Sequence, residues 1–428
     1  MSILIKNATI VTMDDGKIIK NGYLGTEGKK IKYVGYEAPV ESEYDYIYDG
    51  KGKVVIPGLS NAHGHTAMSL LRSYSEGYKL QEWLFEKIFP IEDKLGPDEI
   101  YWGTLLGIAE LLRFGCTITS DSYFFMDSGA RAYIDAGFNA NLSRGLTSFD
   151  DNADYSEDIR IKEALSLYKE YNGCKDDLLR VELSPHAVYT CEYNYLKYIG
   201  ALSANYNIPV TSHLSENETE VSDCMKKYGK TPVEIYKEAG LLEKPGTFAH
   251  CVWLNDKDIE LLKGHYIAHC PKSNLKLGSG IADIYKYKEA GINIALGTDG
   301  ASSNNNLNML SELNTAALLM CNKNSDPSLV SPMEILKMAT LNGARAMGRD
   351  KKGILKEGFD ADFAILKGDE IYHEPMHNPV NNIVYASTGC EVTITVAGGK
   401  ILYDNGEYKT IDIEKLKSEI RKIKEKIF

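Results

Sequence analysis

Eight short apolar runs alternating with helical patterns restrict the middle of this chain to very few folds. The runs are Val54 to Ser60, Cys116 to Ser120, Phe138 to Leu142, Leu179 to Leu183, Ile208 to Ser212, Thr247 to Ala249, Tyr266 to Ala268 and Ile292 to Gly297. Between most of them lie helical patterns such as Pro97 to Phe114, Ser156 to Tyr171 and Glu192 to Asn205. A strand followed by a helix, repeated eight times over about 290 residues, is the pattern of an α/β protein of the TIM-type (β/α)8 barrel class. A doubly wound sheet is the alternative. It usually carries a glycine-rich phosphate turn after its first strand, and here that place is held by His63-Gly64-His65.

The two ends of the chain differ from the middle. Ile3-Leu4-Ile5, Thr9 to Thr12, Tyr23 to Thr26 and Ile31 to Val34 read as short strands separated by Gly, Asp and Asn turn signals. Ala361 to Leu366, Ile383 to Ala386 and Val392 to Val396 read the same way. Residues 1–56 and 350–410 are therefore expected to build one small β-sandwich domain from both ends, around a barrel at 57–349. Residues 411–428 carry Lys and Glu at helical spacing and are expected to form an exposed terminal helix.

The net charge of −12 argues against nucleic acid as a partner, since phosphates need a positive face, and against an anionic membrane surface. No uninterrupted apolar stretch reaches the ~18 residues of a membrane span, and the first residues lack the pattern of a signal peptide. The eight cysteines are scattered, with no Cys-x-x-Cys pair. They point to reduced thiols in a cytoplasmic protein, and any metal must rest on His and carboxylates. A homo-oligomer is the default expectation for assembly.

Barrel enzymes place their chemistry at the C-terminal ends of the strands. His63 and His65 follow the first run, His186 the fourth, His213 and Glu216 the fifth, His250 the sixth, His269 the seventh and Asp299 the eighth. Side chains two apart in a strand point the same way, so His63 and His65 can form half of a metal site. Alone, such a pair is more often two polar loop residues. Six histidines and an aspartate converging on one face are not explained by packing, because buried polar groups cost free energy unless paired. His63, His65, His213 and Asp299 fit a mononuclear site for zinc or ferrous iron with a position left for water. Glu216, three residues after His213, can serve as general acid and base. As a bare residue type it could also be a helix N-terminal glutamate. His250 is read as a base beside the metal or a core histidine. His265, His373 and His377 are read as unrelated.

These residues resemble the amidohydrolase superfamily, over essentially the whole chain. Further segments narrow the likeness: Leu70-Leu71-Arg72, Glu82-Trp83-Leu84, Phe89 to Glu92, Ser143 to Leu146, Ser184-Pro185-His186, His213 to Glu216, Ser273 to Ile281 and Gly297 to Gly300. They are similar to the 5-methylthioadenosine/S-adenosylhomocysteine deaminases. The resemblance implies one divalent ion, zinc or ferrous iron, on His63, His65, His213 and Asp299. No lysine stands at the end of the fourth run, where binuclear members carry one. It implies catalysis by Glu216, His250 and Asp299: Glu216 protonates N1 of the adenine ring, His250 and Asp299 orient the attacking water, and Asp299 relays its proton to the leaving ammonia. Glu92 would take the ribose hydroxyls and His186 would contact the nucleoside. Arg144 and Arg160 would face the 5′ substituent, with Trp83 and Ser303 as further contacts. The implied substrate is a small adenine nucleoside (5-methylthioadenosine, S-adenosylhomocysteine, adenosine or 5′-deoxyadenosine), deaminated at C6 to the inosine analogue. Hydrolysis of guanine, a pterin or a chlorotriazine is the alternative within enzymes. A catalytically silent metal-binding barrel is the alternative outside them.

Overall fold

The computed structural model describes residues 1–428. Eight strand positions follow one another through the middle: β1 (Leu59–His65), β2 (Cys116–Tyr123), β3 (Asn139–Leu146), β4 (Leu179–Val181, resuming at Ser184–Pro185), β5 (Thr211–Leu214), β6 (Thr247–His250), β7 (Tyr266–His269) and β8 (Asn293–Leu296, resuming at Asp299–Gly300). β1 to β4 pair in parallel, as do β5 to β8. A single parallel bridge, Leu183 to Val210, joins the two groups between β4 and β5. On the other side Asp299 and Gly300 pair with Gly64 and His65 of β1. Every strand thus points the same way, and the residues at their C-terminal ends share one face.

Helices fill the connections, among them Pro97–Arg113, Ile159–Tyr171 and Tyr193–Tyr206. One large apolar core packs between these helices and the strands and continues into the terminal helix through Leu416. Helix Ile413–Ile427 is thus not simply exposed. It buries Leu416 and Ile423 and ties its last turn to Glu99 through Lys426, at 2.7 Å. No helix is long and apolar enough to cross a membrane.

The two ends of the chain meet in one nine-stranded mixed sheet. Strands Ile3–Val11, Ile18–Glu27, Lys30–Gly35, Tyr46–Asp49 and Lys53–Pro57 come from the N-terminal side, and Phe363–Lys367, Val392–Ala397, Lys400–Asp404 and Glu407–Tyr408 from the C-terminal side. The seam is the antiparallel pairing of Lys53–Pro57 with Phe363–Lys367. A second apolar cluster mixes both ends: Ile5, Ile10, Leu24 and Val55 with Phe363, Ile365, Ile394 and Val396.

Two expectations need correction. The apolar run Val54 to Ser60 is not one strand. Lys53–Pro57 belongs to the terminal sheet and Leu59–His65 to the parallel strands. The crossing point is Gly58, where a Cβ would stand 2.1 Å from the Thr117 hydroxyl, so only glycine lets the chain pass so close to β2. Ile383 to Ala386 is not a strand either. It lies at the end of helix Pro379–Tyr385, which starts with Pro at its first turn and is capped by the Asn378 side chain accepting from Val380 and Asn381 N–H. That local cap outweighs the β propensity of Ile and Val.

Candidate active site

The parallel register brings His63 and His65 of β1, His213 of β5 and Asp299 after β8 into one group. Their ligand atoms all lie within 4.8 Å of one another, and all four residues are buried. Gly297, between the two pieces of β8, lets this happen. A Cβ there would stand 2.9 Å from both Cβ and the carbonyl oxygen of His63.

Each member of the group is aimed by a partner behind it. His65 donates Nδ1–H to the Ser122 carbonyl (2.6 Å), and His213 donates Nδ1–H to the His186 carbonyl (2.8 Å). Both therefore turn Nε2 to the centre, and these two atoms lie only 3.1 Å apart. The Asp299 Oδ2 accepts from the hydroxyls of Ser273 (2.6 Å) and Ser303 (2.7 Å). That leaves Oδ1 facing His65 Nε2 at 3.2 Å and His63 Nε2 at 3.4 Å. The His63 Nε2 is buried without a hydrogen-bond partner. Converging ring nitrogens, one carboxylate oxygen and an orphaned buried imidazole nitrogen fit a divalent cation of the borderline class served by N and O donors.

The electrostatics agree. Burial pushes His63 down to about 4. Burial, then the neighbouring imidazoles, hold His213 well below the ordinary range. Burial also opposes charge on His65, but the hydrogen bond and charge of Asp299 outweigh it and raise the group to about 9. Burial disfavours the Asp299 carboxylate, yet His63 and His65 hold it well below the usual range.

Glu216 and His250 stand beside the four. His250 Nε2 lies 3.6 Å from Glu216 Oε2, and its ring stacks on that of His213 with centroids 5.5 Å apart. His250 Nδ1 is hydrogen-bonded to Asn274 Oδ1 at 2.8 Å. Glu216 accepts from the Ser279 hydroxyl at 3.3 Å, and burial raises its pKa. It precedes the capping residue Asn217 of helix Glu218–Tyr228 and lines the cavity. Its loop is clamped by Glu220, whose carboxylate accepts from the backbone N–H of Ser215 (3.0 Å) and Glu216 (2.7 Å). Ser215, His250 and Asp299 all adopt left-handed backbone (φ 49°, 69° and 58°). Such strain concentrates where surrounding structure over-determines a functional geometry.

A cavity of about 530 Å³ opens above this base. His65, His213, Glu216, His250 and Asp299 line its floor, and Trp83, Glu92, Arg144, Arg160 and His186 its walls. Trp83 and Glu92 belong to a covering segment that runs through helical Leu80–Glu82, a π-helical stretch Trp83–Ile88 and helix Phe89–Glu92. The Trp83 indole N–H is buried without a partner. Burial raises Glu92 to about 7 against the opposing hydrogen bond from Tyr123. His186 hydrogen-bonds Thr190 Oγ1 at 2.9 Å, and burial pushes it down to about 3. Arg144 is paired with Glu163 (2.7 Å) and Arg160 with Asp158 (3.3 Å). Ser303 does not line the cavity; its hydroxyl is spent on Asp299.

Of the six histidines at strand ends, His269 is buried outside the cavity lining. His265 is a buried acceptor for Gly246 N–H, and His373 contacts Lys367 in the terminal region. Several supporting residues had no role assigned from sequence: Ser273, Asn274 and Ser279, which sit in a segment already singled out, and Tyr123 and Glu220, which carry no local signal beyond position.

The amidohydrolase family pattern matches residues 54–402. A 5-methylthioadenosine/S-adenosylhomocysteine deaminase of Caldicellulosiruptor saccharolyticus is 40% identical over 99% of this chain and 98% of its own. One of Pyrococcus furiosus is 38% identical over 98% of this chain and all of its own (100%). Among solved structures, a zinc-bound adenosine deaminase of Xanthomonas campestris superposes with a TM-score of 0.93 at 30% identity, covering 99% of this chain and 98% of that one. With that match over residues 54–402 and relatives about 40% identical over nearly its full length, the chain belongs to the amidohydrolase family.

Proposed function

We propose that this chain is a metal-dependent hydrolytic deaminase that replaces the 6-amino group of adenine nucleosides by oxygen and releases ammonia. Its substrates are 5-methylthioadenosine, S-adenosylhomocysteine, adenosine or 5′-deoxyadenosine. The observation that carries this reading is the pairing of buried Glu216 and His250 beside the His63, His65, His213 and Asp299 group at the cavity floor. The relatives' names and the wall residue Glu92 support the nucleoside part.

His63, His65, His213 and Asp299 would hold one divalent ion, zinc or ferrous iron. When bound, the ion supplies the Lewis acidity that lets water act as a nucleophile near neutral pH. Glu216, kept protonated more readily by burial, delivers its proton to N1, so negative charge does not build up on the ring as water adds at C6. His250 and Asp299 orient that water, and Asp299 passes its proton on to the departing ammonia. Ser273 and Ser303 keep the carboxylate turned for this task. Glu92 takes the ribose hydroxyls, His186 and Trp83 contact the nucleoside, and Arg144 and Arg160 face its 5′ end.

The same reading treats the eight strands at 57–349 as one (β/α)8 barrel. Residues 1–56 and 350–410 form a sandwich-like domain, supported by the apolar cluster shared between the ends. The terminal helix, 411–428, is an appendage that packs on helix Pro97–Arg113. Eight free cysteines support a cytoplasmic protein, and a homo-oligomer is the working assumption for assembly.

The test is a rate screen of the zinc-loaded protein on the four nucleosides, with guanine, a pterin and a chlorotriazine as controls. Deamination is followed by loss of the adenine absorbance and by ammonia release. Turnover of at least one adenine nucleoside above all controls is expected. Faster turnover of a control would move the substrate to another heterocycle, and no turnover of any would mean a silent scaffold.

A further inference from the structure

Glu92 is a buried carboxylate with a single donor in the protein. The Tyr123 hydroxyl donates to Oε1 at 2.5 Å, and the other oxygen has no protein partner. An ionised carboxylate accepts several hydrogen bonds, so a buried one with a single donor is under-supplied. The two residues come from different parts of the fold. Glu92 ends the covering segment, whereas Tyr123 is the last residue of β2, held by its register against Arg144 of β3 and by a ring stacked on Phe124 at 4.3 Å. This hydrogen bond therefore ties the cover to the rigid strands at the point where the cover reaches the cavity.

We propose that Tyr123 is a positioning residue for sugar recognition: its hydroxyl occupies Oε1 of Glu92 and turns Oε2 toward the cavity, where the two vicinal hydroxyls of a ribose complete the carboxylate's hydrogen bonds. The inference rests on the nucleoside reading above. It adds that selection for a 2′,3′-diol depends on Tyr123, which lines the same cavity, through its hold on Glu92. Removing the phenol hydroxyl leaves Glu92 with no protein donor. The carboxylate then both loses its orientation and becomes harder to keep ionised in its buried place. The loss should fall on binding of the diol, not on the reacting centre.

The experiment compares adenosine with 2′,3′-dideoxyadenosine on the full-length, zinc-loaded enzyme, in wild type, Tyr123→Phe, Glu92→Gln and the double variant. Tyr123→Phe is expected to raise KM for adenosine by roughly tenfold to a hundredfold, the range for losing a hydrogen bond to a charged group, with kcat falling by much less. The preference for adenosine over the dideoxy compound should shrink by a similar factor. In the Glu92→Gln background the same substitution should add little further loss. An equal loss on both nucleosides, or full additivity with Glu92→Gln, would overturn the proposal. Wild-type enzyme that deaminates both compounds equally well would overturn it too while leaving the deaminase reading intact, whereas failure on every adenine nucleoside removes both. If Tyr123→Phe does not fold, Tyr123→His keeps a ring donor at a different reach, and its loss of diol preference tests the same point.

Discussion

The floor and the wall of the cavity are built by different means. The floor consists of strand-end residues, each held by a second group: His65 by the Ser122 carbonyl, His213 by the His186 carbonyl, Asp299 by two serines, His250 by Asn274 and the Glu216 loop by Glu220. The wall is drawn from the covering segment, from the end of β3 and the helix after it, and from the residue after β4. Its polar groups are tied by fewer partners in part: Trp83 has none, Glu92 has one, and Arg160 is paired with Asp158, while Arg144 is held by Glu163 and the Gly145 carbonyl. On the proposed function, the floor would fix the reaction catalysed and the wall the molecule admitted. A constellation on strands is held to the tolerance that catalysis requires, while loops and short helices can vary without disturbing it.

That division can be broken from the floor first. His213→Ala removes one of four ligands and should reduce bound zinc well below one per chain and abolish turnover, both read on the same purified sample by metal analysis and ammonia release. Full metal content in this variant would mean the ligand group is drawn wrongly. On the wall, Glu92→Gln should raise KM for ribonucleosides by about one to two orders of magnitude, the scale of a lost charged hydrogen bond, with metal content unchanged. Loss of metal would show that wall and floor are not independent.

A smaller effect separates the outer wall from the sugar site. Arg144→Leu should lower kcat/KM for S-adenosylhomocysteine several-fold, while adenosine, which has no 5′ carboxylate, changes less than twofold (both estimates from the strength of exposed ion pairs). Equal losses on both substrates would place Arg144 in support of β3 and not at the 5′ end.

A separate effect concerns stability. Glu312 is a fully buried glutamate of helix Met309–Asn324 that accepts from Asn304 Nδ2 at 2.8 Å, and burial raises its pKa from 4.5 to about 7. Between those values the folded chain keeps the proton and the unfolded chain loses it. This group's contribution is therefore most favourable below about pH 4.5 and declines as pH rises to 7, by at most roughly 3 kcal/mol. Glu312→Gln should flatten the fall in denaturation midpoint between pH 5 and 7. An unchanged slope would mean that the Glu312 carboxyl is not protonated more readily in the fold.

Much of the floor was legible in the sequence because it follows strand periodicity. His63 and His65 are two apart, and His213 and Asp299 directly follow apolar runs, so the parallel alternation alone predicts one face for all four. Their supports were not legible. Ser273 and Asp299 are 26 residues apart, and Tyr123 and Glu92 31, and no periodicity connects such pairs until the strands are in register. Local rules failed where a tertiary or capping effect outweighed propensity. Val54 to Ser60 looks continuous, but the close approach at Gly58 divides it between two sheets. Ile383 to Ala386 is rich in β formers, yet the Asn378 cap and Pro379 start a helix there. Ser303, read from the resemblance as a substrate contact, donates its hydroxyl to Asp299 four residues before it.

The most direct test of the account is Glu216→Gln, with kcat on adenosine and bound zinc measured on the same preparation. Gln keeps the shape and loses only the transferable proton, so kcat should fall by about a hundred- to ten-thousandfold, the usual contribution of a positioned acid–base group, with zinc retained at the wild-type level. Near wild-type kcat, or loss of the metal, would contradict the assignment of proton transfer to Glu216 and with it the reading of the cavity floor.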